Sequence, residues 1–156
     1  MVKIPINILI VDDERDFVEM LSLRLKDSGH QVRSAFNGHD ALKILDENEP
    51  DALPEIDVVI LDIKMPGMDG IDTLKQIKAK HPVVEVILLT GHGAVDTAVT
   101  GLKSGAFDYL LKPTDFDTLT AKLEAARKQR EEHAERLREA EAKALMRKSG
   151  GMFTQD

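Results

Sequence analysis

The chain is predicted to fold as an α/β domain, a doubly wound five-stranded parallel sheet with helices on both faces. Three observations predict it. Short apolar runs alternate five times with stretches of helical periodicity. Two of those runs, Asp57–Leu61 and Val83–Leu89, are almost wholly apolar rather than alternating, as strands buried on both faces are. The links are short, and right-handed crossovers then place helices on both sides of one parallel sheet.

Each element has its own reason. Ile6–Val11 is β-rich and apolar, the first strand, and stops at Asp12-Asp13-Glu14. Those acids suit the positive end of a helix dipole, with Asp13 or Glu14 as a cap. Phe17, Met20, Leu21, Leu23 and Leu25 then recur at helical spacing through Lys26, and Gly29 ends the helix. Gln31–Phe36 is the second strand, Asn37-Gly38 its turn, and Ala41, Leu42, Ile44 and Leu45 face one side of a second helix. Asn48–Ile56, acidic and holding two prolines, reads as an exposed loop. The third strand, Asp57–Leu61, leads to Asp62, after which Pro66, Gly67 and Gly70 force a turn. Ile71, Leu74, Ile77 and Lys78 mark a third helix stopped by His81-Pro82, and Val83–Leu89 is the fourth strand, ending at Thr90-Gly91-His92-Gly93. Ala94–Ser104 is a fourth helix with a weak apolar face (Val95, Ala98, Val99, Leu102) and Gly105 as its C-cap. Phe107–Leu111 is the fifth strand, ending at Lys112-Pro113.

Thr114 or Asp115 caps the last helix, which meets no Gly or Pro until Gly150. At the standard rise that allows roughly 30 residues, or about 45 Å. Phe116, Leu119, Leu123 and Ala126 are apolar enough to pack on the domain. Past Arg130 the segment is charged, with Glu132–Arg136 and Glu139–Lys143 at supportive spacing. A stripe through Leu137, Ala140 and Ala144 has heptad-like spacing broken by polar residues, so a coiled-coil dimer and a solvated single helix weigh equally. The expected organisation is a domain over 5–127, a charged helical extension over 128–148 and a disordered tail over 149–156.

With 156 residues the chain is long enough for one real core. It has no Cys, which excludes disulfide, thiol and Cys–metal chemistry. A net charge of −7 without clustered Lys and Arg disfavours direct nucleic-acid binding. The opening apolar run is too short for a signal peptide or membrane span, so a cytoplasmic protein without membrane attachment is expected.

The chemistry lies in what ends the strands: Asp12-Asp13 on the first, Asp62 on the third, Thr90 on the fourth, Lys112 on the fifth. In a doubly wound sheet these carboxyl ends share the edge where ligands bind. Lys112 alone reads as a surface lysine and Thr90 alone as a cap; their joint occurrence carries the weight. Two carboxylates about 4 Å apart repel by roughly 4 kcal/mol at an effective dielectric near 20. Lys112 offsets part of that, and a divalent cation, Mg²⁺ by the hardness of the oxygen ligands, offsets the rest. Asp62 is then free to act as a nucleophile toward phosphorus, with the metal, the Lys112 ammonium and the Thr90 hydroxyl facing the phosphoryl charge.

From about Ile6 to the first turns of the last helix the chain resembles the receiver domains of bacterial two-component response regulators. Asp12-Asp13, Asp62-Ile63-Lys64-Met65-Pro66-Gly67-Met68-Asp69-Gly70, Thr90-Gly91 and Asp108-Tyr109-Leu110-Leu111-Lys112-Pro113 carry the resemblance. Thr90-Gly91-His92-Gly93 and Gly105-Ala106-Phe107-Asp108-Tyr109 are most similar to receivers of nitrogen-regulatory-type activators. The resemblance implies the flavodoxin-like strand order 2-1-3-4-5. It implies that Asp62 accepts a phosphoryl group from a sensor histidine kinase or phosphotransfer protein. Asp13, Asp62 and the Lys64 carbonyl would hold Mg²⁺, with Asp12 acting through water. Thr90 and Lys112 would bind the phosphoryl group, and the Lys112–Pro113 bond would be cis. Thr90 and Tyr109 would form a switch that remodels the helix 4, strand 5 and helix 5 face, for an output partner or for a homodimer through that face or the C-terminal helix. Such activators continue into an ATPase and a DNA-binding domain, and this sequence holds no Walker loop and no basic helix-turn-helix pattern.

Three other readings compete. A haloacid dehalogenase-type phosphohydrolase needs a second acid two residues after its nucleophile, where Lys64 stands. A flavodoxin needs a Gly/Ser/Thr phosphate loop after the first strand, where the acids stand. A degenerate scaffold does not require the intact acidic set. The chain is therefore expected to be a signalling domain with weak self-phosphorylation and self-dephosphorylation, not an enzyme.

Overall fold

The structure is a computed structural model and describes residues 4–47, 55–65 and 69–153. Five parallel strands, β1 (Asn7–Val11), β2 (Gln31–Ala35), β3 (Val58–Leu61), β4 (Glu85–Thr90) and β5 (Asp108–Leu111), stand in the order β2-β1-β3-β4-β5. The helices are α1 (Arg15–Asp27), α2 (Gly38–Asp46), α3 (Gly70–Lys80), α4 (Val95–Lys103) and α5 (Phe116–Phe153), with a 3-10 turn, His92–Ala94, before α4.

The sheet separates two cores. On one face α2, α3 and α4 bring Leu42, Leu45, Leu74, Ile77 and Ala98 against Leu9, Val59, Leu61 and Leu88. On the other, α1 and α5 bring Val18, Leu21, Leu25, Leu119 and Leu123 against Ile8, Ile10, Ile60 and Ile87. Successive strand residues thus serve opposite cores. This is why β3 and β4 are buried throughout and show no polar alternation in the sequence.

Register aligns the strand ends. Val11 pairs with Leu61, Leu61 with Leu88, and Thr90 with Leu111. The Asp62 N–H donates to the Val11 carbonyl at 2.9 Å and the Lys112 N–H to the Thr90 carbonyl at 2.8 Å. Asp12, Asp62, Thr90 and Lys112 therefore leave the sheet along one rim.

Several sequence expectations are corrected by packing. In α1 the buried stripe is Val18, Leu21, Ser22 and Leu25, whereas Met20 and Leu23 are 46% and 59% exposed. Five apolar residues, Phe17, Met20, Leu21, Leu23 and Leu25, within about two and a half turns exceed the width of a single buried face. In α4, Ala98 and Gly101 pack inward and Val99 and Leu102 lie outside. Small residues bring α4 so close that a Cβ at Gly101 would collide with the Leu88 side chain. Glu14, one of the two expected cap residues, holds the α1 N-cap position but makes no side-chain cap bond, and Asp12 Oδ1 accepts its N–H at 3.0 Å. Asp115 caps α5, accepting the Thr118 N–H and hydroxyl.

Ile56, assigned to an exposed loop, is buried at 1% exposure beside β3, while Glu55 is exposed; residues 48–54 of that loop and the turn residues 66–68 lie outside the described residues. Helix α5 continues through Ser149, Gly150 and Gly151 to Phe153, where the sequence suggested a tail from Ser149. A helical glycine costs only about 1 kcal/mol relative to alanine, too little to stop a helix by itself; 154–156 lie outside the described residues. Among the described residues no helix is long and apolar enough to cross a membrane.

Candidate functional site at the carboxyl rim of the sheet

Strand ends build the site. Asp12, Asp13 and Asp62 each offer a carboxylate oxygen, and these oxygens lie within 4.8 Å of one another. Asp12 and Asp62 are 3% and 6% exposed, while Asp13 faces solvent. Thr90, at 1% exposure, donates its hydroxyl to Asp62 Oδ1 at 3.2 Å, and the Lys64 N–H donates to the same oxygen at 3.2 Å. Lys112 Nζ donates to Asp12 Oδ2 at 2.6 Å and stands 3.7 Å from Asp62 Oδ2 and 3.8 Å from Glu14 Oε1. Residues fifty and a hundred positions apart thus share one cleft.

Local structure holds Asp62 in place. Gly70 starts α3 directly against the segment after β3: a Cβ there would stand 2.5 Å from the Ile63 Cα and carbonyl oxygen. Asp69 caps that helix by accepting the Ile71 N–H at 3.0 Å. Across the cleft mouth, Lys64 Nζ donates to the Gly93 carbonyl at 3.4 Å, linking the segment after β3 to the turn before α4.

The electrostatics leave a charge deficit. Burial, then the Asp12 charge, push the Asp62 carboxyl above its ordinary range; Lys112, the Lys64 N–H and Thr90 offset only part of this. Burial pulls Lys112 down, but its hydrogen bond to Asp12 and the charges of Asp12, Asp62 and Glu14 together hold it above its usual value. One ammonium against two buried carboxylates and a third at the rim is an incompletely neutralised oxygen set. That donor set fits a small hard divalent cation that keeps most of its waters.

The Lys112–Pro113 peptide bond is cis. Tyr109 is half-buried on β5, its ring packed against the α2–α3–α4 core. One neighbour was not read as a site residue from the sequence. Phe17 of α1 places its ring centroid 4.3 Å from Lys112 Nζ. Helical spacing marked Phe17 as packing, and nothing in a single sequence shows which strand end a packing residue meets.

The doubly wound sheet and its acidic rim define a class, α/β domains that bind their ligand at the carboxyl ends of parallel strands. Within that class the assignment is specific. Residues 8–124 match the response regulator receiver domain family, and the chain belongs to it: it is a receiver domain of two-component response regulators, a signalling domain rather than an enzyme in the ordinary sense. It is 43% identical over 126 residues to the transcriptional regulatory protein ZraR of Salmonella typhimurium, covering 81% of this chain and 27% of that protein. It is 41% identical over 117 residues to the DNA-binding transcriptional regulator NtrC of the same organism, covering 75% and 24%. Among solved structures it is similar to NtrX from Brucella abortus, crystallised with ADP, at 34% identity and a TM-score of 0.76, covering 85% of this chain and 29% of that one. The resemblance to nitrogen-regulatory-type activators holds, and the chain spans about a quarter of the length of these relatives.

Proposed function

We propose that the chain is a phosphorylation-switched domain whose acceptor is Asp62. The observation that carries this reading is the seat of Asp62: 6% exposed, within 3.7 Å of Lys112 and 3.2 Å of the Thr90 hydroxyl, inside the three-carboxylate cluster. An Asp62 carboxylate oxygen attacks phosphorus of a phosphohistidine presented by a sensor histidine kinase or phosphotransfer protein. The O–P bond forms as the P–N bond breaks, and the imidazole leaves with its electron pair and takes up a proton. Asp12, Asp13, Asp62 and the Lys64 carbonyl would hold Mg²⁺, which would supply the positive charge that lets two anions approach. Lys112 and Thr90 then turn from carboxylate to phosphoryl oxygens.

Output follows from the same movement. Thr90 leaves Asp62 Oδ1 for the phosphoryl group, and the turn before α4, tethered by Lys64, follows it. Support for a movable face comes from β5, whose four residues are all half-buried, and from α4, whose Val99 and Leu102 face outward. Tyr109 turns inward, and the α4–β5–α5 surface engages an output partner or a second copy of the chain, the long α5 being the alternative dimer element. The site operates in the cytoplasm, where kinase and phosphodonor are present.

Incubation with acetyl phosphate and Mg²⁺ should add one phosphoryl group by mass spectrometry. Asp62→Ala and chelation with EDTA should each abolish labelling. Undiminished labelling of Asp62→Ala refutes the assignment. Steady release of phosphate from a phosphatase substrate at ordinary enzyme rates would support a phosphohydrolase instead. Light scattering with and without beryllofluoride reads the output: a doubled mass assigns it to self-association, an unchanged mass to a separate partner.

A further inference from the structure

We propose that Phe17 is a positioning residue for the phosphoryl site, its ring face holding the Lys112 ammonium at the rim while that ammonium exchanges Asp12 for a phosphoryl oxygen. This rests on the receiver mechanism above. The ring centroid lies 4.3 Å from Lys112 Nζ, well inside the range in which a cation is drawn to an aromatic face. The Lys112 side chain is 18% exposed, and the attraction is strongest where water is excluded. Phe17 is not a free surface ring, because it packs partly buried against the α1–α5 core.

The three anionic partners of Lys112 differ in a way that gives the ring its task. Asp12 binds the ammonium at 2.6 Å, Asp62 stands at 3.7 Å, and Glu14, 65% exposed, stands at 3.8 Å. A salt bridge is directional, and one at 2.6 Å favours the resting partner. The ring attracts the charge from any rotation of its N–H bonds, holds no proton and carries little hydration to lose. It therefore keeps the ammonium in the cleft as partners change, and disfavours a swing toward solvated Glu14. The backbone of Lys112 is already fixed by its N–H bond to Thr90, so only the flexible side-chain stem needs this support.

The test separates ring electrostatics from ring volume. Full-length chain is made with one, two or three fluorines on the Phe17 ring, which withdraw charge from the face at nearly constant shape, alongside Phe17→Tyr and Phe17→Leu. Beryllofluoride affinity in Mg²⁺ is read by isothermal titration calorimetry, which reports binding equally in every variant. The expected result is a stepwise loss reaching about three- to tenfold, retention in Phe17→Tyr, loss in Phe17→Leu, and an unchanged melting temperature across the fluorinated set. In NMR spectra the Lys112 ε-methylene should show a ring-current shift in the wild type and Phe17→Tyr, and not in Phe17→Leu. A flat fluorine series, or no such shift in the wild type, overturns the proposal. Failure of the unmodified chain to bind beryllofluoride at all refutes the receiver mechanism, and this inference with it.

Discussion

At the scale of single residues, the site is held together at a cost to stability. Burial and Asp12 raise the Asp62 carboxyl above its ordinary range, so the native state binds that proton more tightly than the unfolded chain does. The penalty is absent at pH values below the unfolded carboxyl's range. It grows as pH rises from there through the raised native value, and is complete above it. Asp62→Asn should therefore stabilise the metal-free chain at neutral pH by about 1 kcal/mol, seen as a higher melting temperature, with the gain vanishing in acid. Equal melting temperatures at neutral pH would show the three carboxylates to be relaxed without metal. Adding Mg²⁺ at about ten times its dissociation constant should raise wild-type stability by about 1.4 kcal/mol and Asp62→Asn by less. Gly70 makes the opposite case. A Cβ would meet the Ile63 backbone at 2.5 Å, and backbone cannot rotate away. Gly70→Ala should cost about 3 kcal/mol in urea unfolding and depress labelling of the adjacent Asp62.

Among elements, α5 differs most from its sequence reading. Its charged part was expected to leave the domain near residue 127, yet Arg130 is buried, and Ala134 one turn further is 8% exposed. Arg130 Nη2 donates to Glu55 at 2.5 Å, and its Nε stands 3.5 Å from Asp57 Oδ1, which lies just before β3. Gln129 donates to buried Glu85 at 3.1 Å, and Lys78 of α3 donates to the same carboxylate at 3.2 Å. Burial lifts the Asp57 carboxyl despite the Asn7 N–H and Arg130, a sign that desolvation wins over attraction there. Arg130→Met should then cost about 3 kcal/mol by chemical denaturation, because it strands a buried carboxylate, and adding Asp57→Asn should recover most of it. Additive losses in the double variant would show that the pair is not coupled.

For the whole molecule, α5 is two things in one helix. It spans 38 residues, about 57 Å at the standard rise. Its first half closes the α1–α5 core, while side chains 135–149 are all exposed. A helix without tertiary contacts is marginal at this length. Amide exchange should be slow up to about Ala134 and rise sharply beyond it. Truncation after Ala134 should leave urea stability within about 0.5 kcal/mol of the full chain. Protection continuing to the C-terminus would mean that the arm is covered in solution, as a dimer of α5 helices would cover it. The alternation of elements, the doubly wound parallel sheet and the acidic rim were legible because each rests on local pattern or on how few ways a parallel sheet can be wound, whereas the strand order followed from the resemblance to receiver domains. The role of Arg130, the outward facing of Met20 and Leu23, and the contact of Phe17 with Lys112 were not.

The division has one physical cause. Burial patterns along a strand or helix, and the residue types that end them, are properties of neighbours in the chain. They determined the five-stranded sheet and the identities of Asp12, Asp13, Asp62, Thr90 and Lys112. Which of several apolar stripes on α1 faces inward, how far α5 stays docked and what lies against the Lys112 ammonium depend on crossing angles and distances between separate elements. Only tertiary structure decided those, since Phe17 on α1 and Lys112 after β5 stand far apart in sequence and meet only where the folded sheet brings that helix and that strand end together.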